Sequence, residues 1–317
     1  MMSKIFCLGE LLVDMVGTDK KNLKEGKVFE KNAGGAPANV CAAASMLGAE
    51  TYFMGQVGDD NFGEYLIDKL KALNVDTSMI TRGGNTSMAF VSVDENGERD
   101  FTFLRDSDEK YDFRNIKTNM VRKEDIIHFG SATGLLEGNL KKTYINFFYF
   151  AQENKTFCSF DPNYRDTLLP ENNLSRYKRE CTTFIKKCDL VKMSEDELFI
   201  LTDTRDVIEG ARILNDIGAR VVVITMGKSG SYLSMKNQAE IIPTIPIKQV
   251  DATGAGDAFM GGVLYQLSQM EDIKKLPFEK WKEIIRFANV VGGLTTTKYG
   301  AMEGIPTLEE VNALLNK

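Results

Sequence analysis

A chain of 317 residues, 43% hydrophobic and 26% charged, has the composition of a soluble globular protein and suits one large α/β domain with an appendage. Its 39 Lys and Arg against 45 Asp and Glu give a net charge of -6, which argues against nucleic-acid binding but leaves room for a small anion held by local dipoles. The five cysteines, Cys7, Cys41, Cys158, Cys181 and Cys188, contain no C-x-x-C pair and read as reduced thiols of a cytoplasmic protein without a zinc site. In MMSKIFCLGELLVDM, Glu10 and Asp14 interrupt the apolar stretch too early for a secretory signal, and no run is long enough to cross a bilayer.

In chain order, Ile5 to Val13 reads as the first strand. A GGAP turn leads into a helix over roughly Pro37 to Leu47, with proline in the first turn, where its missing N–H costs little. Residues 51–57 read as a strand and 61–73 as a helix. The texture then changes: MAFVSVDENGERDFTF alternates around an ENG turn, a hairpin signal, and residues 15–32 with 79–110 are expected to form a small separate sheet. From residue 125 the rhythm is strand, helix, strand, helix. DIIHFGSA, TFCSFDPN, DLVKMS and ARVVVITMGKSGSYL supply strands; 140–153, 174–187, 205–217, Ala255 to Gln269 and Glu279 to Thr297 supply helices, NFFYFA being a buried helix face. That alternation implies a mostly parallel sheet covered on both faces, with ligands at the C-terminal strand ends. DPNYR, KMSEDE, TMGKSG and DATGAGD are the polar segments at those ends.

The loop VDATGAGDAFMGG, residues 250–262, puts free backbone N–H groups at a helix N-terminus, an arrangement that holds an anion, yet it carries a carboxylate at Asp257. An ordinary Asp cap is the plain alternative. It is not the dinucleotide fingerprint, because Phe259 stands where the third glycine belongs. MGKSG is not a Walker A loop either, because Val222 stands where its first glycine belongs. A single histidine, His128, leaves no plausible Ser-His-Asp triad.

DATGAGDAFMGG resembles the C-terminal signature of the ribokinase-like (PfkB) carbohydrate kinases, and NAGGAPANVCAAASMLGAETYFMGQVGDDNFGEYL, residues 32–66, resembles its N-terminal companion. With GELLVDM near the start and KYGAMEGIP near the end, the resemblance spans essentially the whole chain. GELLVDM, FDPNYR and the FLR at 103–105 are most similar to fructokinases, and 2-keto-3-deoxygluconate kinases share much of this. The resemblance implies a single domain over 1–317: a three-layer α/β/α fold with a mostly parallel central sheet and a small β-sheet lid. It also implies an ATP-dependent sugar kinase using Mg2+ and K+, converting fructose to fructose 6-phosphate, and a homodimer joined through the lid. 2-Keto-3-deoxygluconate kinase and a non-catalytic sugar or nucleotide sensor are the rival readings. A dehydrogenase lacks both its fingerprint and a proton-relay histidine.

The resemblance also implies roles. Asp257 is the base for the sugar hydroxyl, with the backbone of Gly254, Ala255, Gly256 and Asp257 holding the transferring phosphoryl group. Asp14, Gly34, Gly35 and Asn39 take the sugar. Arg105 reaches it from the lid, and Arg165 lies near sugar or phosphate, though each is also readable as a surface charge; Leu104 departs from the commoner aromatic-Tyr-Arg form. Lys192 points at phosphate. Glu197 in KMSEDE acts on Mg2+ through water, with Ser194 where Asn is frequent, or simply caps a helix. Thr225, Gly227 and Gly230 lie by the nucleotide, Asn289 beside adenine, and Asp251 with Thr253 and the Gly300 loop forms a monovalent-cation site.

Overall fold

The computed structural model describes residues 2–95, 99–169 and 173–315. The chain enters as β1 (Ile5–Leu8) and β2 (Leu12–Gly17), followed by β3 (Phe29–Gly34), α1 (Ala36–Met46), β4 (Thr51–Val57), α2 (Asn61–Ala72) and β5 (Asp76–Arg82). Then come β6 (Met88–Val93), β7 (Arg99–Leu104), β8 (Ile126–Phe129), α3 (Asn139–Glu153), β9 (Phe157–Phe160) and α4 (Leu174–Ile185). β10 (Leu190–Ser194), α5 (Glu195–Thr202), α6 (Val207–Ile217), β11 (Val221–Thr225), β12 (Ser231–Met235) and β13 (Gln238–Ile242) follow, and α7 (Ala255–Ser268), α8 (Phe278–Thr295) and α9 (Leu308–Leu315) close the chain.

Among the described residues, nine strands form one sheet in the order β13-β12-β11-β10-β9-β8-β1-β4-β5. It is parallel from β5 to β11 and ends in an antiparallel β11-β12-β13 meander. The central strands are buried and mostly apolar, as a sheet covered on both faces requires, with His128, Ser159 and Lys192 as polar residues inside β8, β9 and β10. In β1, Ile5 and Cys7 face the core built with α1, α2, α7, α8 and α9, while Phe6 and Leu8 face the core built with α3 to α6. The α/β/α layering and mostly parallel sheet expected from the sequence are therefore present. The chain runs outward from β1 in both directions, through β4 and β5 on one side and β8 to β11 on the other. The gap between the ends of β1 and β8 is the topological switch point.

A second sheet has the order β3-β2-β6-β7. Its membership corrects two expectations. The stretch Ile5 to Val13 is not one strand: Gly9, with φ +153°, and the buried Glu10 turn the chain out of the large sheet, so β1 and β2 lie in different sheets. Residues 79–82 belong to β5 at the edge of the large sheet, and only β6 and β7 of the 79–110 region join the small one. Asn96 and Gly97 of the expected ENG turn lie outside the described residues. α3 buries Phe147, Phe148 and Ala151 as NFFYFA suggested, with Tyr149 exposed. α5 and α9 are helices beyond those expected from the sequence. No helix among the described residues is long and apolar enough to cross a membrane.

Candidate active site

The first wall is built where the two sheets meet. β2 pairs with β3 so that Asp14 lies opposite Asn32. Gly34, two residues on, has no room for a side chain: a Cβ there would lie 2.0 Å from the Asp14 carboxylate. Gly35 adopts φ +113°, and its Cβ would lie 2.3 Å from the Glu10 carbonyl oxygen. Glycine is needed at both positions by close approach, and at Gly35 by conformation as well. Pro37 occupies the first turn of α1, as expected. The next turn carries Asn39, buried, whose Nδ2 donates to Asp257 Oδ2 at 2.8 Å.

Asp257 lies in the first turn of α7 behind Gly254, the N-cap, which sits in the left-handed region at φ +74°. A Cβ on Gly254 would meet that of Ala301 at 2.5 Å. The small faces of α1 and α7 let the helices touch: a Cβ on Gly261 would lie 2.5 Å from that of Ala43. This contact holds the two N-termini side by side. Burial pushes the Asp257 carboxyl up to about 6, against the pull of Asn39, Lys192 and Arg165. Burial, with the charge of Glu10, pushes Asp14 to about 7, and Arg165 opposes this. Arg165 is thus the cation facing both carboxylates, although its hydrogen bonds go to the Tyr164 carbonyl and Asn163 Oδ1.

On the other side of the α7 N-terminus, Lys192 and Asp161 form a buried ion pair at 2.7 Å. Burial alone would lower the Lys192 ammonium, but Asp161 and Glu197 outweigh it and keep the group charged. Its Nζ lies 3.0 Å from where a Cβ on Gly256 would be, so a full positive charge stands against the glycine turn. The N-terminus of α7, with its helix dipole, and a lysine converge there, which is the chemistry of a phosphate site. Beside it opens a cavity of about 590 Å3 whose wall includes Thr225, Gly227, Gly230, Ala255, Gly256 and Asn289. Gly227 leaves open space where a side chain would stand.

Several expected residues are placed with their side chains already engaged. Glu197 completes a capping box: Oε2 accepts from the Ser194 N–H at 2.8 Å and its hydroxyl at 2.9 Å, and Oε1 accepts from the Tyr164 N–H at 2.8 Å. Asn289 forms part of the cavity wall, but its amide donates to the Ile242 and Pro243 carbonyls and accepts from Ser231. Arg105 turns to Asp108, with Nε–Oδ2 at 3.0 Å, and to the Glu137 and Thr133 carbonyls. Asp251 accepts from Thr253 through one oxygen and from the Gly300 N–H through the other, pinning the two loops together. His128 is buried beside Ser159 at 2.9 Å, and burial lowers it to about 3, a neutral core histidine.

Sequence reasoning missed Glu10, Asp161 and the outer wall formed by 244–247 and Gln249 with Gly292 and Gly293. Asp161 was legible as the head of DPN at a strand end. The wall residues carry no motif, because they act through shape.

The family model of pfkB family carbohydrate kinases matches residues 2–308. The chain belongs to the pfkB family. It is 32% identical to fructokinase-2 of Oryza sativa subsp. japonica, over 99% of this chain and 94% of that one, and 33% identical to fructokinase-1 of Zea mays, over 99% and 98%. Among solved structures it is similar to the Vibrio cholerae O395 fructokinase bound to fructose, ADP and a calcium ion, with TM-score 0.87, 30% identity and coverage of 99% of both chains. It is equally similar to the ATP-bound fructokinase of Xylella fastidiosa, with TM-score 0.87, 31% identity and coverage of 100% and 99%. As a pfkB member the protein is a carbohydrate kinase, a phosphotransferase acting on a sugar hydroxyl.

Proposed function

We propose that this kinase transfers the γ-phosphoryl group of ATP to D-fructose, giving fructose 6-phosphate, with Asp257 as the base. The observation that carries the reading is the 2.8 Å contact of Asn39 with Asp257, which sets the sugar-side turn against the base at the head of the glycine loop. Asp14 and Asn39 bind and orient the sugar, and Arg165 balances the two carboxylates. Asp257 takes the hydroxyl proton as the oxygen attacks. The α7 N-terminus and Lys192 receive the charge on the transferring group from the far side, so carboxylate and anion hole serve opposite ends of one reaction. Mg2+, when bound, neutralises phosphate charge. Glu197, at the head of the Asp161–Lys192 cluster, would hold it through water, a fit for a cation that keeps much of its hydration. Asp251, Thr253 and the Gly300 loop offer hard oxygen donors to K+.

The small sheet is the lid of the single kinase domain, closing over the sugar and keeping water from ATP. Two copies pair through it, and light scattering at micromolar concentration checks this: a clean monomer overturns it. The five free thiols fit a cytoplasmic enzyme. The deciding assay measures ATP consumption with Mg2+ and K+ against fructose, 2-keto-3-deoxygluconate, ribose, fructose 1-phosphate and adenosine. Activity with fructose alone supports the reading. Preference for the keto acid overturns fructose as substrate and keeps the ATP side.

A further inference from the structure

Glu10 is 1% exposed and none of its hydrogen-bond donors is a cation. It follows β1 at the switch point. Its Oε1 accepts from the N–H of Ala36, the first residue of α1, at 3.1 Å, and from the N–H of Ala132, beyond β8, at 3.2 Å. Its Oε2 accepts from the hydroxyls of Ser131 and, at 3.3 Å, Thr133. Burying a carboxylate on neutral donors alone is costly, and an apolar residue would pack there without that cost. The contacts continue outward. The Thr133 carbonyl accepts from Arg105 at 3.3 Å, Arg105 Nε donates to Asp108 at 3.0 Å, and Asp108 accepts from the Ser87 hydroxyl at 2.5 Å. Ser87 precedes β6 and Arg105 follows β7, so these are the two chains that carry the lid.

We propose that Glu10 is a positioning residue for the acceptor sugar, one carboxylate that fixes the Gly34–Asn39 turn, the 131–133 loop and, through Thr133, Arg105, Asp108 and Ser87, the roots of the lid in a single frame. The role rests on the sugar-kinase reading above and adds to it a residue that touches no substrate. Glu10 also acts at a distance on Asp14, whose carboxyl faces Glu10, Arg165 and Asp257. Burial, with the charge of Asp108, raises the Glu10 carboxyl itself, so its push on Asp14 acts where Glu10 is ionised, and removing Glu10 lowers Asp14.

The test is steady-state kinetics on Glu10→Gln, Glu10→Asp and Thr133→Val. In Glu10→Gln the KM for fructose rises about tenfold, the loss of one buried hydrogen-bonded contact, while the KM for ATP stays unchanged. Its acid limb of kcat/KM for fructose moves to lower pH. Glu10→Asp keeps the charge and the limb but not the reach, and its fructose KM rises. Thr133→Val removes the hydroxyl that meets Glu10 and keeps the carbonyl that meets Arg105, so it uncouples Glu10 from that arm of the frame and raises the fructose KM, and adding it to Glu10→Gln changes little, since both break one frame. Should Glu10→Gln fail to fold, Thr133→Val carries the test. Fructose and ATP KM rising together, or an unmoved limb, overturns the proposal. The wild-type enzyme runs alongside. No turnover with any sugar of the panel overturns the kinase reading, whereas normal wild-type turnover with unshifted variants overturns only the role of Glu10.

Discussion

Asn39 and Asp257 are 218 positions apart in the sequence and 2.8 Å apart in the fold, and their hydrogen bond joins the N-termini of α1 and α7. Each belongs to one of the two glycine-rich signatures, so the bond is the point where those two segments meet.

Replacing Asp257 by Asn keeps the shape and removes the base. We expect kcat to fall by about 10²- to 10⁴-fold, the usual worth of a positioned general base, with ADP affinity unchanged by titration calorimetry. Near-normal turnover would remove Asp257 from the mechanism.

The raised carboxyls at Asp257, about 6, and Asp14, about 7, set the pH response. Both must be ionised to accept hydroxyl hydrogens, so kcat/KM for sugar falls as pH drops through 7 toward 6. An acid limb near the ordinary carboxylate range, about 4, contradicts this. Stability runs the opposite way. Each group holds its proton more tightly folded than unfolded, so its contribution is fully present below the ordinary carboxylate range and lost as pH rises through the folded values. Asp14→Asn should therefore raise Tm more at pH 8 than at pH 5, while weakening fructose binding. Thermal scans at the two pH values check the sign.

Lys192→Met strands the Asp161 carboxylate in a buried place. Urea unfolding should show a loss of about 3–5 kcal/mol, the cost of breaking a buried pair on one side, and Asp161→Asn added to it should recover much of that loss. Nucleotide binding stays weak in both. A double variant no more stable than Lys192→Met would show that the pair is not what Lys192 contributes to folding.

Two glycines with positive φ separate conformation from crowding. Gly227→Ala at φ +54° meets open space and should cost about 1 kcal/mol, the left-handed penalty alone. Gly254→Ala at φ +74° drives a methyl against Ala301, so it should cost clearly more and displace the α7 N-terminus, with kcat falling. Equal losses in Tm and kcat for the two variants would refute the contact with Ala301.

The alternation of strands and helices from residue 125 onward was readable because each such element carries its own apolar pattern, which neighbours only confirm. The break inside GELLVDM was not: an apolar run looks continuous until Glu10 meets donors from residues 36 and 131–133, which no local pattern reveals. The assignment of β5 failed for a related reason, since a short alternating strand fits the edge of either sheet and only its pairing with β4 decides.

The sequence by itself determined the family, the layered α/β architecture and the two glycine signatures, because those rest on residue type, local periodicity and backbone freedom. Only the tertiary structure decided which groups are engaged: that Arg105 turns to Asp108, that Asn289 spends its amide on the wall, that Glu197 caps a helix, and that Glu10 ties the start of α1 to the 131–133 loop. Hydrogen-bond partners and burial are set by packing between segments distant in the chain, and those, not residue identity, fix what a polar side chain is free to do.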